Sequence, residues 1–179
     1  RIIDVNLLPP REVAPLNLPN YDDWVLREAL HNCVAHQDYA QGGRILVTES
    51  PDTLRFFNYG EFLPGSVDKV LHAAQPEQRY RNACLANAMV ELDLMETINS
   101  GVKGMFRKQR ERFFPLPDYA IEGPPPSVSV TIYGRTLDER YVGALMTHTH
   151  LSLDEAVLLD QIQKGRPLAA GQLQRLRAK

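Results

Sequence analysis

The chain has 179 residues, 44% of them hydrophobic and 23% charged. Those are the proportions of a soluble globular protein and not of a disordered tail or a collagen-like repeat. A formal net charge of -2 provides no overall electrostatic pull toward nucleic acid, and the apolar runs are too short to cross a bilayer, with no secretory signal at the start. The length suits one ordinary domain with a small appendage. A chain that opens at Arg1 without methionine and closes at Lys179 inside a helical pattern reads as a piece of a longer polypeptide. Cys33 and Cys84 both fall in apolar helical patterns, which predicts buried, reduced thiols in a cytoplasmic protein.

Residues 1–20 hold four prolines and two short apolar strings, predicting an extended N-terminal segment that starts with an edge strand. Asn20 or Asp22 offers an N-cap for a helix running to about His36, with Asp22 and Asp23 favouring the helix dipole. Its apolar face is expected at Leu26, Leu30, Cys33 and Val34. Arg44 to Ser50 and Thr53 to Tyr59 read as a β-hairpin turning at Pro51-Asp52. Ser66 caps a short helix, Val67 to His72. Asn82 starts another, to about Leu94, with Leu85, Met89 and Leu92 as the buried stripe. A further helix opens at the small-residue turn Asn99 to Gly104 and is stopped by Pro115 and Pro117. Gly123-Pro-Pro-Pro126 reads as a stiff spacer, Ser127 to Tyr133 as the clearest strand, and Asp138 to Met146 as helical. Ser152 caps a last amphipathic stretch, broken at Gly165-Arg-Pro167, with a final helix from near Ala169. The expected fold is α+β, a two-layer sandwich whose mainly antiparallel sheet is covered by helices, with a small C-terminal helical segment.

Glu28, Asn32 and His36 are spaced i, i+4, i+8 and so line a second face of the opening helix. A solvated helix face scatters Lys and Glu, whereas this one presents a carboxylate, an amide and an imidazole in a row, followed by Gln37, Asp38 and Tyr39. Such a row is suited to holding a ligand, the bland alternative being ordinary hydrogen bonds to the next loop.

Glu28-Ala-Leu-His-Asn32 with His36-Gln-Asp38-Tyr39, then the hairpin, Asn58-Tyr-Gly60 with Pro64-Gly65, and Ser100-Gly101-Val-Lys-Gly104, resemble the C-terminal ATPase-like domain of RecG-related or Schlafen-AlbA-type transcriptional regulators of bacteria. That domain is similar in turn to the Bergerat fold of gyrase, heat-shock chaperones, histidine kinases and MutL. The resemblance spans about Asp22 to Tyr133. It implies a domain at 21–134, a linker at 135–151, and ATP or ADP with Mg²⁺ as ligand. Asn32 would meet Mg²⁺ through its amide oxygen, and Glu28 would orient or deprotonate an attacking water as the catalytic group. His36 and Asp38 would flank the site, with Asn58 and Gly60 under the adenine and Gly101, Lys103 and Gly104 at the phosphates. Where gyrase-type and kinase-type members carry Asp in the adenine loop, this chain has Asn58. No Gly-x-x-x-x-Gly-Lys-[Ser/Thr] loop occurs, so a helicase motor is not expected and at most a weak ATPase is.

Residues 152–179 resemble the first helices of a winged helix-turn-helix, which implies DNA contacts by Arg175, Arg177 and Lys179 in the parent protein. The alternative for the whole chain is a degenerate, non-enzymatic Bergerat-like scaffold used for homo-oligomerisation or protein interaction. A metal-dependent hydrolase built on His31, His36 and His148 ranks well behind, since His148-Thr-His150 lacks neighbouring carboxylate or cysteine ligands.

Overall fold

The computed structural model describes residues 4–7, 16–74, 79–95, 101–168 and 171–172. The helix and cations expected at Arg175, Arg177 and Lys179 lie outside the described residues. Strands β1 (Asp4–Leu7) and β2 (Leu16–Pro19) pair antiparallel as a separate hairpin. Helix α1 (Asp23–His36) follows, then a 3-10 turn at Tyr39–Gln41, β3 (Leu46–Glu49) and β4 (Thr53–Tyr59). Helices α2 (Val67–His72), α3 (Ala83–Glu91) and α4 (Gly101–Glu111) lead to β5 (Asp118–Glu122) and β6 (Ser127–Tyr133). Helices α5 (Glu139–Thr147) and α6 (Leu153–Gln163) close the described chain. The main sheet is antiparallel throughout, in the order β3-β4-β6-β5, so the fold is α+β as expected. Among the described residues no helix is long and apolar enough to cross a membrane.

Local chemistry accounts for most element boundaries. Asp22 caps α1 by accepting from the backbone amides of Trp24 and Val25. Ser152 and Glu155 form a capping box at α6. Asn82, expected as a cap, makes no side-chain cap bond at α3. Its amide instead donates to the carbonyls of Ala35 and Gln37, tying α3 to the end of α1. The Gly123 to Pro126 stretch is the β5–β6 turn and not a spacer, because β5, a strand the sequence reading missed, precedes it.

The core forms where α1 lies on the sheet. The buried residues of α1 are Val25, Ala29, Cys33 and Ala35; the first three pack with Phe56, Met105, Val130 and Ile132. The expected stripe is therefore corrected: Leu30 is 41% exposed, and small side chains take the sheet-facing positions so that the helix axis can approach closely. Leu92 is exposed because α3 ends at Glu91. Cys84, also expected inside, is exposed, while Cys33 is buried; both thiols are free.

The C-terminal helices pack on this unit. Leu153 and Val157 of α6 join Leu71 of α2 and Phe106 of α4. Lys164, 4% exposed at its side chain, sits 3.1 Å from the Asp118 carboxylate and 2.6 Å from that of Asp160. Asp160 also accepts from the Leu116 amide, and Arg166 pairs with Asp118 at 2.7 Å. Burial works against ionised Asp118, but hydrogen bonds from Arg166, Tyr133 and Lys164 hold its pKa below the usual carboxylate range. For Asp160 burial prevails and the shift is upward. Replacing Lys164 with Met should leave a buried carboxylate without its cation and cost about 3–5 kcal/mol in urea unfolding. Adding Asp160→Asn should recover part of that loss, and full stability in the single variant would mean that the ammonium is not buried as described.

Candidate functional site

Between α1, the inner face of the sheet, α2 and the start of α4 lies a cavity of about 320 Å³. Its floor is apolar: Phe56 of β4, Val128 and Val130 of β6, Tyr119 of β5, and Ala29 and Cys33 of α1. These residues alternate along their strands, which is why one face of the sheet supplies the whole floor. The Glu28, Asn32 and His36 row lines one wall because it is offset by one position from Val25, Ala29 and Cys33. Glu61 to Pro64, Lys69, Val70 and Ala73 form another wall, and Arg79, Tyr80 and Met95 a third.

The structure brings five of the expected site residues to this cavity: Glu28, Asn32, His36, Asn58 and Gly101. Asn32 Nδ2 donates to Glu28 Oε1 at 3.1 Å. A Cβ added at Gly101 would stand 1.7 Å from Glu28 Oε1 and 3.2 Å from Asn32 Nδ2, so the glycine is what allows the carboxylate to lie against the first turn of α4. Asn58 is buried, and its Nδ2 donates to the Tyr59 carbonyl at 3.0 Å.

The remaining expected residues do not line the cavity. Gly104 backs onto Trp24, whose ring would meet an added Cβ at 2.4 Å. Lys103 turns its ammonium to the Ala73 carbonyl at 3.4 Å. Asp38 caps the 3-10 turn, accepting from the Ala40 amide and from Gln41 Nε2. Gly60 stands behind the site: its amide donates to the Pro126 carbonyl, and its φ of +126° is one that glycine adopts without strain. His148 and His150 lie past α5 with rings 5.8 Å apart. Among the described residues no three His, Cys, Asp or Glu converge as metal ligands.

Several site residues carry no motif in the sequence. Tyr80 sits with its ring centroid 5.7 Å from that of His36. Gln37, 1% exposed, donates to the Gly43 carbonyl and accepts from the Tyr59 amide, fixing the end of α1 to β4. Lys69, Arg79 and Tyr119 are brought in by tertiary packing alone. Burial pushes the Cys33 thiol up to about 12, so it is an uncharged wall group. Burial, with the charge of Glu28, raises the Tyr80 phenol. Burial and then the neighbouring Arg81 lower the His36 imidazole from 6.5, leaving it neutral at neutral pH.

Comparison with known proteins fits this geometry. Residues 42–132 match the family described as "Putative ATP-dependent DNA helicase recG C-terminal". That match includes Asn58, Gly60, Gly101 and Gly104, and begins after the Glu28, Asn32 and His36 row. A crystal structure of the DIP2311 protein from Corynebacterium diphtheriae is similar in fold, with a TM-score of 0.59 at 20% identity. The similarity covers 87% of this chain and 32% of that one, so the present chain spans about a third of that protein's length. No curated protein matches.

Two outcomes test the described geometry. Folded His36 prefers to be neutral while the unfolded chain takes up its proton at the ordinary 6.5. The stability it contributes is therefore complete above that value and is lost as pH falls from there toward the folded pKa. His36→Gln should flatten the drop in unfolding free energy between pH 7.5 and 5.5, and an unchanged slope would place the imidazole in water. At Gly60 an added Cβ would meet the His36 carbonyl oxygen at 2.8 Å and Arg81 Nε at 3.0 Å. Gly60→Ala should cost about 1–3 kcal/mol in the same assay.

Proposed function

We infer the function from one premise: the chain belongs to the family of RecG C-terminal ATPase-like domains. The role best supported is a nucleotide-binding regulatory domain that takes ATP or ADP, with hydrolysis weak or absent. A single observation carries the reading. Glu28, Asn32 and His36 of α1, Asn58 of β4 and Gly101 of α4 converge on one apolar-floored cavity of about 320 Å³, within the size range of small-molecule sites.

The chemistry of the lining fits an adenine nucleotide. Phe56, Val128, Val130 and Tyr119 offer a dry floor for a planar base. With Nδ2 of Asn58 engaged by the Tyr59 carbonyl, its amide oxygen is left to accept from an exocyclic amine, which adenine has and guanine lacks at that edge. Magnesium fits here only as an ion shared with phosphates, since Asn32 offers a single amide oxygen and, among the described residues, no group of three or more His, Cys, Asp or Glu could hold a metal ion. Bound there, the ion would neutralise phosphate charge. Glu28 is the group placed to orient a water, but its carboxylate rests on Asn32 and the Gly101 turn, which favours binding over turnover. In the parent protein, residues 152–179 would begin the DNA-reading part that this domain regulates.

Thermal unfolding with Mg-ADP is the test. Ligand at a hundred times its dissociation constant should stabilise the domain by about 2.7 kcal/mol, and Asn32→Ala should reduce the gain. No shift at millimolar nucleotide would refute the reading.

A further inference from the structure

We propose that Lys69 and Arg79, on two walls of the cavity, are the groups that bind the phosphates of its ligand, in place of the glycine turn at the start of α4. The assignment rests on the cavity being a nucleotide site and names the part of it that confers anion binding.

Two places on the cavity wall offer positive potential. The first is the N-terminus of α4, whose unsatisfied amides and dipole ordinarily attract anions. Here it is already faced by an anion, because Glu28 Oε1 lies where a Cβ of Gly101 would be. The Glu28 charge is felt across the cavity, acting on the Tyr80 and Tyr119 phenols on other walls. A phosphate at the same turn would stand beside that carboxylate, a like-charge contact costing several kcal/mol in a low-dielectric site. Lys103, the cation that sequence spacing puts next to this turn, is directed at the Ala73 carbonyl.

The second place is formed by Lys69 and Arg79. Both line the cavity, and among the described residues neither forms an ion pair. Lys164, Arg112 and Arg166, by contrast, each pair with a carboxylate. The Lys69 ammonium lies over the Pro64-Gly65 turn, 3.6 Å from a Cβ position at Gly65, on an exposed residue at the cavity rim. Arg79, also exposed, immediately precedes Tyr80, whose ring contacts His36. A guanidinium and an ammonium with no ion-pair partner among the described residues, bordering an apolar floor, suit a ligand with a planar body and an anionic tail.

The test compares adenosine with ADP in EDTA, following the fluorescence of Trp24, the single tryptophan of the chain, with calorimetry as a second readout. ADP should bind at least tenfold tighter than adenosine, with the advantage shrinking as salt rises. In Lys69→Gln/Arg79→Gln the two affinities should converge while adenosine binding stays unchanged. Arg55→Gln, an exposed cation on β4 outside the cavity, should keep the ratio. An ADP advantage that survives the double substitution, or no advantage in the native protein, overturns the proposal. Should neither adenosine nor ADP bind, the nucleotide reading fails, and tripolyphosphate then decides: binding lost in the double variant upholds the anion site, and no binding to the native protein overturns it.

Discussion

The seat of α1 on the sheet is the contact on which the other features depend. Val25, Ala29 and Cys33 repeat every fourth residue and meet Phe56, Val130 and Ile132, all at most 5% exposed. Val25, Phe56, Val130 and Ile132 are each worth about 1.5–3 kcal/mol when fully buried, so the seat is strong and its rotational setting is fixed. The row one position earlier, Glu28 and Asn32, must then face along the sheet into the cavity. Both helix ends are also fastened: Asp22 caps the first turn and pairs with Arg112, which donates to the Pro19 carbonyl. At the far end, Gln37 and Asn82 hold the last carbonyls and the neighbouring strand. The polar row is thereby positioned before any ligand arrives, which lowers the entropic cost of binding.

That rigidity explains why the cavity has separated regions. The strands contribute uncharged inner-face residues to the cavity, apolar except for the Asn58 amide, because their other residues point the opposite way by the pleat. Charge must come from helices and loops, and it does so unevenly, with Glu28 at the α4 turn and Glu61, Lys69 and Arg79 elsewhere on the lining. A carboxylate set against a helix N-terminus is stabilised by the dipole and opposes other anions there. Without a bridging cation at Asn32, which touches Glu28, the arrangement favours a ligand whose negative end lies away from Glu28.

Sequence reading recovered what local chemistry controls. Ser66, Asp22 and Ser152 each cap as their spacing predicts, and Ser127 to Tyr133 alternates cleanly because β6 is central. The Glu28, Asn32 and His36 row was legible because a mixed polar stripe is unusual on a solvated helix. What failed was tertiary. Leu30 looked like core by hydrophobicity, yet the close approach of helix to sheet gave the inner positions to Ala29 and Cys33. Strand β5 has only Tyr119, Ala120 and Ile121 as apolar residues between Asp118 and Glu122, too short a signal beside the prolines at 115, 117 and 124–126. Tyr80, Lys69 and Arg79 carry no motif at all; their place at the cavity follows from how the chain returns over α1.

The same packing sets the relation between the cavity and the C-terminal helices. Residues 135–151, read from sequence as a linker, contain α5, whose Tyr141 and Leu145 are buried with Leu151 and Ala156. Helix α2 faces two ways: Lys69 and Val70 line the cavity, while Leu71 packs with Leu153 and Val157 of α6. Strand β5 does likewise, with Tyr119 on the cavity floor and Asp118 gripped by Lys164 and Arg166. One layer of side chains thus separates the cavity from α6. Because packed interiors transmit displacement and do not absorb it, a shift of α2 or β5 at the cavity must be matched by α6 or by loss of the Lys164 contacts. A freely jointed linker would impose no such requirement, so this chain has the physical connection that a ligand-responsive regulatory domain needs.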